Sequence, residues 1–185
     1  MKLNNLRDEA FKIACEHGFH DIELSNEHYL MLVITELSEA VEADRKDRHA
    51  DIAKFKEWQG NSLSLSEETR IKRFKEDFEA YIKDTVEDEL SDTTIRLLDL
   101  AGLRNLNLNR FAIAYVVSKK KTFTENIYAI MKDIMNYKYS LEEQVNYAIT
   151  QLFCLADILG IDLMWHIEQK MKYNEMRENK HGKRY

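Results

Sequence analysis

Two pairs of carboxylates with matching spacing are the residues of this chain best suited to chemistry. Glu36 and Glu39 form the first pair, and Glu89 and Asp92 form the second. Because an α-helix has about 3.6 residues per turn, residues three positions apart lie on the same helix face. Two such faces turned toward each other would place four carboxylates around hard divalent cations. The spacing therefore predicts a Mg²⁺ site, with Mn²⁺ as an alternative ion.

Each acidic pair also has an interpretation without a metal. Glu-x-x-Glu is common on solvated helix faces, and for the first pair alone that interpretation is favoured. In the second pair, Glu89 falls at the edge of an apolar stripe, where an unpaired carboxylate is costly. It therefore needs a cation, a basic partner or a raised pKa. The neighbouring Glu87 and Asp88 are expected to lie outside the site, and Glu42 is a candidate supporting group.

A basic segment near the C-terminus has the opposite charge. Lys170, Asn174 and Arg177 follow one another at i, i+4 and i+7, and Lys183 comes later in the tail. Ammonium, guanidinium and amide groups together suit phosphate oxygens. Cations near a helix C-terminus also simply complement the helix macrodipole, and periodicity alone favours that alternative.

Composition predicts the fold class and excludes several functions. The chain has 185 residues with no proline and five glycines, which indicates an all-α protein in a single domain. The net charge of −6 argues against a general nucleic-acid binder. No apolar stretch approaches the roughly 18 residues that span a bilayer, and the first residues lack the apolar core of a signal peptide. Cys15 and Cys154 are expected to be buried free thiols, so a cytoplasmic protein is the expectation.

The helices that must position the acidic pairs can be read from caps and apolar stripes. Ser25 or Asn26 can begin the second helix, which carries the first pair. Ser64 to Glu67 has capping-box spacing, and the helix that begins there is expected to run to residue 101, with a kink allowed. Further helices are predicted over 111–117, after Thr122, after Ser140 and after residue 162. The expected architecture is a helical bundle with residues 44–80 as an insertion.

At this point the motifs resemble a known family. Glu36-Leu-Ser-Glu39 and Glu89-Leu-Ser-Asp92 resemble the Glu-x-x-Glu and Glu-x-x-Asp signature of the all-α nucleoside triphosphate pyrophosphohydrolases. That superfamily includes MazG-like proteins and dimeric dUTPases. The C-terminal pattern Lys-x-x-x-Asn-x-x-Arg, followed by Gly and Tyr, is similar to the nucleotide-holding segment of the dimeric dUTPases. The resemblance covers the second helix, the later half of the long helix and the final helix.

The resemblance implies hydrolysis of a (deoxy)nucleoside triphosphate to the monophosphate and pyrophosphate. The four carboxylates would hold Mg²⁺, and Glu36 or Glu39 would orient the attacking water as a base. The nucleotide would be contacted by Lys170, Asn174, Arg177, Lys183 and Tyr185. The resemblance also implies a homodimer or homotetramer. A dUTPase or dCTPase proper, and a non-catalytic helical interaction module, remain as alternatives.

Overall fold

The fold is built from α-helices throughout the described part of the chain. The computed structural model describes residues 3–57, 65–108, 120–136 and 138–179. Within these ranges it contains no β-strand, which confirms the all-α expectation. The helices are α1 (Leu3–Glu16), α2 (Asn26–Arg45), α3 (Ile52–Glu57), α4 (Glu67–Tyr81), α5 (Val86–Leu103), α6 (Phe123–Asn136), α7 (Leu141–Leu159) and α8 (Leu163–Glu175). No single helix among them is long and apolar enough to cross a membrane.

Side-chain caps begin several of the helices where the sequence predicts them. The Ser25 hydroxyl accepts a hydrogen bond from the backbone N–H of His28 at the start of α2. Ser140 and Glu143 form a reciprocal capping box that begins α7. Each cap satisfies backbone N–H groups that the first helical turn leaves without partners. These two predicted helix starts are confirmed.

The prediction of one long helix over residues 65–101 is wrong, because the chain forms two separate helices there, α4 and α5. Asp84 adopts a left-handed backbone conformation with φ of 58°, which a continuous helix does not allow. Thr85 then caps α5 by accepting a hydrogen bond from the N–H of Asp88, and its hydroxyl donates to the carbonyl of Ile82. The Asp88 carboxylate in turn accepts from the N–H of Asp84 at 3.0 Å. Polar side chains at the junction therefore end one helix and start the next.

Several predicted features lie outside the described residues. These are the Ser64 cap, the helix over 111–117 and the tail from residue 180 onward. The described start of α4 is capped by Ser66, whose hydroxyl accepts from the N–H of Thr69.

Helix α5 lies at the centre of the main core. It packs against α1, α2, α7 and α8, and its Leu90, Leu97 and Leu98 are fully buried. Burying a leucine side chain stabilises a fold by about 1.5–3 kcal/mol. Gly102 lets α1 approach closely, since a Cβ at that position would lie 2.4 Å from Cβ of Phe11. The helix that carries Glu89 and Asp92 is thus held on several sides.

A second apolar cluster joins the predicted insertion to the last helix. Phe55 of α3 and Phe74 and Phe78 of α4 pack with Ile82 and with Tyr173 of α8. The rings of Phe78 and Tyr173 stack with centroids 4.4 Å apart. Helices α3 and α4, which belong to the predicted insertion, therefore pack against α8, the helix that carries Lys170 and Asn174.

Candidate metal centre

Three of the four predicted metal ligands come together between α2 and α5. Oxygen atoms of Glu36, Glu89 and Asp92 lie within 4.8 Å of one another. Glu36 is 3% exposed and Glu89 is 5% exposed, while Asp92 is half-buried. The packing of α2 along α5 thus turns two acidic helix faces toward each other, as the spacing predicts.

Glu39 lies apart from this cluster. It is exposed on α2, and it is absent from the acidic groupings found among the described residues. Leu37 and Ala40 belong to the face of α2 that is buried in the core, whereas Glu39, which lies between them in sequence, is on the exposed side of the helix. The role of Glu39 as a ligand or base stays a prediction. Glu42, the candidate supporting group, is exposed and forms ion pairs with Arg45 and Lys46.

Glu89 is the carboxyl group of the cluster that lacks a basic partner. Among the described residues, its side chain makes no hydrogen bond and no ion pair. Burial, followed by the nearby carboxylates of Asp92 and Asp88, raises the pKa of Glu89 to about 9. In the metal-free protein this group therefore holds a proton at neutral pH. A divalent cation would replace that proton and relieve the repulsion, so the donor set fits a hard cation bound by oxygen.

The other two carboxylates of the cluster are paired with internal cations. The guanidinium of Arg96 donates through Nε to Oε1 of Glu36. The ammonium of Lys170 lies 2.8 Å from Oδ2 of Asp92. These pairs neutralise charge inside the fold, and they are the basic partners that the metal-free interpretation of the acidic motifs requires.

Asp88, which was expected to lie outside the site, is buried beside it. Lys170 Nζ donates to both carboxylate oxygens of Asp88, at 2.9 Å and 2.8 Å. Burial raises the pKa of Asp88 to about 6, against the opposing attraction of Lys170. Burial acts to lower the pKa of Lys170, but Asp88 and Asp92 outweigh it and raise that pKa above its usual value. At neutral pH, Lys170 is thus an ammonium shared by two carboxylates.

A pocket between α1, α2, α5 and α8 adjoins the cluster of Glu36, Glu89 and Asp92 (the metal corner) through Asp92. It contains about 770 Å³ of space, open solvent included. Asp92 and Arg96 lie at its wall, together with Asn174 and Arg177 from α8 and its end. Two residues of the predicted basic segment, Asn174 and Arg177, therefore line the same pocket as Asp92 of the metal cluster.

Asn174 has an unused polar group at this pocket. It is 7% exposed, and its Oδ1 is buried without a hydrogen-bond partner among the described residues. A buried acceptor without a donor costs about 1–3 kcal/mol, so a ligand that donates a hydrogen bond would be favoured there. In contrast, the ammonium of Lys170 forms ion pairs with Asp88 and Asp92. Lys183 and Tyr185 lie outside the described residues.

Three polar residues of this region were missed by sequence reasoning. Arg96 and Asp99 follow Asp92 at i+4 and i+7 on α5, so helix spacing could have placed them on the same face. His20 comes from the loop after α1 and bonds Asp99. No local spacing relates it to α5, and only the packing of α1 on α5 brings it there.

Comparison of the chain with protein-family models, with curated protein sequences and with solved structures gave no significant match. The resemblance to the all-α pyrophosphohydrolases therefore rests on the motif residues themselves.

Proposed function

We propose that this protein is a Mg²⁺-dependent nucleoside triphosphate pyrophosphohydrolase that releases a nucleoside monophosphate and pyrophosphate. The observation that carries the proposal is the cluster of Glu36, Glu89 and Asp92, in which the buried Glu89 has no basic partner among the described residues. Burying a carboxyl group without a basic partner is costly, and the carboxyl groups of a solvated charged face do not carry this cost.

The residues around the cluster have distinct tasks in this proposal. Mg²⁺ held by Glu36, Glu89 and Asp92 would neutralise phosphate charge and polarise the attacking water. Arg96 donates through Nε to Oε1 of Glu36 and so orients this carboxylate, which would also act as the base toward the attacking water. Lys170 holds Asp92 from the side of α8 and so sets the orientation of its carboxylate.

The other end of the substrate would lie in the pocket. Arg177 supplies a guanidinium that suits phosphate oxygens, and Asn174 supplies its buried acceptor for a sugar or base donor. The contributions of Lys170, Lys183 and Tyr185 to substrate binding, and of Glu39 to metal binding, remain part of the proposal. A homodimer or homotetramer is also proposed, and light scattering of the purified protein would test it.

The direct test is product release from a panel of ribo- and deoxyribonucleoside triphosphates with Mg²⁺. Phosphate should appear only when inorganic pyrophosphatase is added, because pyrophosphate is the expected product. Glu89→Gln should abolish turnover, and the exposed Glu76→Gln on α4 should leave it unchanged. Phosphate release without the coupling enzyme would instead indicate cleavage at the terminal phosphate.

A helical interaction module is the second candidate, and the pairing of Glu36 with Arg96 and of Asp92 with Lys170 favours it. In that case the acidic residues would be structural ion pairs. No product from any nucleotide with Mg²⁺ or Mn²⁺, together with no thermal stabilisation by either ion, would support this candidate and contradict the enzyme.

A further inference from the structure

The pocket continues beyond the metal corner along one face of α5. Asp92, Arg96 and Asp99 lie on this face and all line the pocket. At 1.5 Å rise per residue, Asp92 and Asp99 are about 10 Å apart along the helix axis. That distance is comparable to the length of a nucleoside monophosphate. A nucleotide with its phosphates at the metal corner would therefore direct its base toward Asp99.

Asp99 is held in one orientation by its neighbours. Nε2 of His20 lies 2.7 Å from Oδ1 of Asp99, and the phenol oxygen of Tyr29 lies 3.3 Å from Nδ1 of the same imidazole. The side chains of His20 and Asp99 are 9% and 16% exposed. Among the described residues, Oδ2 of Asp99 takes part in no hydrogen bond. The pocket is thus lined by an oriented carboxylate with acceptor capacity left.

The walls beside this carboxylate suit a flat ring. Ala10 and Ala14 of α1 contribute small apolar side chains, and Phe19 and Leu24 contribute larger ones. A planar base placed between such walls loses little hydration energy from its ring faces. The polar groups at its edge still need hydrogen-bond partners. Asp99 can satisfy that edge as an acceptor, and the buried Oδ1 of Asn174 in the same pocket is an acceptor as well.

The edges of the nucleobases differ in what they offer to a carboxylate. Adenine, cytosine and guanine carry an exocyclic amino group that donates hydrogen bonds, and aspartate accepts from such groups. Uracil and thymine present one N–H between two carbonyl oxygens, and a carboxylate repels those two oxygens. A buried site built for a donor rejects a ligand that cannot supply it, because its polar group is then left unpaired.

We propose that Asp99, oriented by His20, makes this protein select nucleotides whose base carries an exocyclic amino group over those of uracil and thymine. The inference rests on the proposed function for the placement of the phosphates. It extends that function to a substrate class, and it favours a dCTPase-like specificity over a dUTPase-like one. Asp99 acts here on specificity, and His20 is a positioning residue.

The experiment measures kcat/KM of the intact protein for the triphosphates of deoxyadenosine, deoxycytidine, deoxyguanosine, deoxyuridine and thymidine. At least one amino-bearing substrate should exceed both deoxyuridine and thymidine triphosphates by tenfold or more. Asp99→Asn should reduce this ratio at least tenfold, since an amide can donate to a carbonyl as well as accept. His20→Phe should reduce the ratio in the same direction, with a smaller effect on kcat for the best substrate.

A matched control is Asp157→Asn, because Asp157 is exposed on α7 and lies outside the pocket. It should leave the ratio unchanged. If Asp99→Asn fails to fold, binding of deoxynucleoside monophosphates to the wild-type protein by calorimetry tests the same preference without a variant. Tighter binding of deoxyuridine or thymidine monophosphate would overturn the inference.

The outcomes separate the inference from the function on which it rests. Hydrolysis of every nucleotide with an unchanged ratio in Asp99→Asn overturns the specificity and keeps the pyrophosphohydrolase. A preference for deoxyuridine triphosphate does the same. Absence of hydrolysis contradicts the proposed function, and preferential binding of an amino-bearing monophosphate would then still support Asp99 as the selecting residue.

Discussion

Lys170 and Asp88 form a buried ion pair that joins the last helix to the start of α5. Nζ of Lys170 lies 2.8 Å from Oδ2 of Asp88, and the two side chains are 4% and 1% exposed. The same ammonium reaches Asp92. A charge so fully surrounded depends on its partners, because burying an unpaired ion costs several kcal/mol.

Replacing Lys170 with Met tests this structural role. We expect Lys170→Met to lower the free energy of unfolding by about 3–5 kcal/mol, since Asp88 would remain buried without its cation. Adding Asp88→Asn should restore part of the loss. Urea denaturation of both proteins measures it, with the exposed Lys12→Met on α1 as the control. Unchanged stability in Lys170→Met would mean that the side chain serves substrate alone.

Neutralising Glu89 should affect stability and metal binding in opposite ways. The pKa of Glu89 is raised in the folded state, so its favourable contribution is complete below the unfolded value near 4.5 and is lost as pH rises through about 9. Glu89→Gln should therefore keep or increase the metal-free stability at neutral pH. By pH 9 the variant should have lost a few kcal/mol less of its free energy of unfolding than the wild-type protein. It should also remove thermal stabilisation by Mg²⁺.

Thermal melts in a chelator from pH 5 to 9, repeated with added Mg²⁺, measure both effects. The matched control is Glu76→Gln, which changes an exposed glutamate on α4. Marked destabilisation of metal-free Glu89→Gln would contradict the protonated state described above.

Loosening the second apolar cluster should weaken nucleotide binding at a distance. Phe78 stacks on Tyr173 of α8, and the Tyr173 hydroxyl donates to Glu79 at 2.7 Å. Phe78→Ala should cost about 3–5 kcal/mol of stability and raise KM, because the end of α8 carries Asn174. Tyr173→Phe should cost about 1 kcal/mol.

Hydrogen exchange of α4 and α8, together with steady-state kinetics, would follow these two variants. Ile71→Ala is the control, since Ile71 is a 41% exposed residue of the same helix. Equal exchange rates in Phe78→Ala and Ile71→Ala would show that the cluster does not hold α8.

His166 should make the protein sensitive to mild acid. It is 1% exposed, and neither ring nitrogen has a hydrogen-bond partner among the described residues. Burial lowers its pKa, so the folded state binds fewer protons than the unfolded state. The stability associated with the neutral ring is present above about pH 6.5 and is lost as pH falls. His166→Phe should show a shallower loss of melting temperature between pH 7 and 5, and an identical slope would exclude His166 as the cause.

Much of the secondary structure was predictable from local signals. Ser25, Ser140 and Glu143 identified helix starts because capping depends on residues within one turn. The break between α4 and α5 was missed, since it depends on the left-handed Asp84 and on hydrogen bonds that the side chains of Thr85 and Asp88 accept from backbone N–H groups. None of these three positions carries the glycine or proline that usually marks a helix end.

The candidate site was predictable in part for a related reason. Spacing placed Glu36, Glu89 and Asp92 on helix faces, and these three meet. Asn174 and Arg177 line the pocket as their shared face suggests, yet Lys170 on that face is covered by α5. Helix spacing predicts which side chains share a face. The packing of the neighbouring helix then decides which end of that face is covered and which end stays open.

The sequence by itself determined the all-α class, the composition of the two acidic motifs and the need of Glu89 for a cation, a basic partner or a raised pKa. These follow from periodicity and burial, which act over a few turns of one helix. Only the tertiary structure decided which polar groups pair: Arg96 pairs with Glu36, Lys170 with Asp88, and His20 with Asp99. Such pairs join residues far apart in the chain, and their formation depends on the relative orientation of packed helices, which no local spacing specifies.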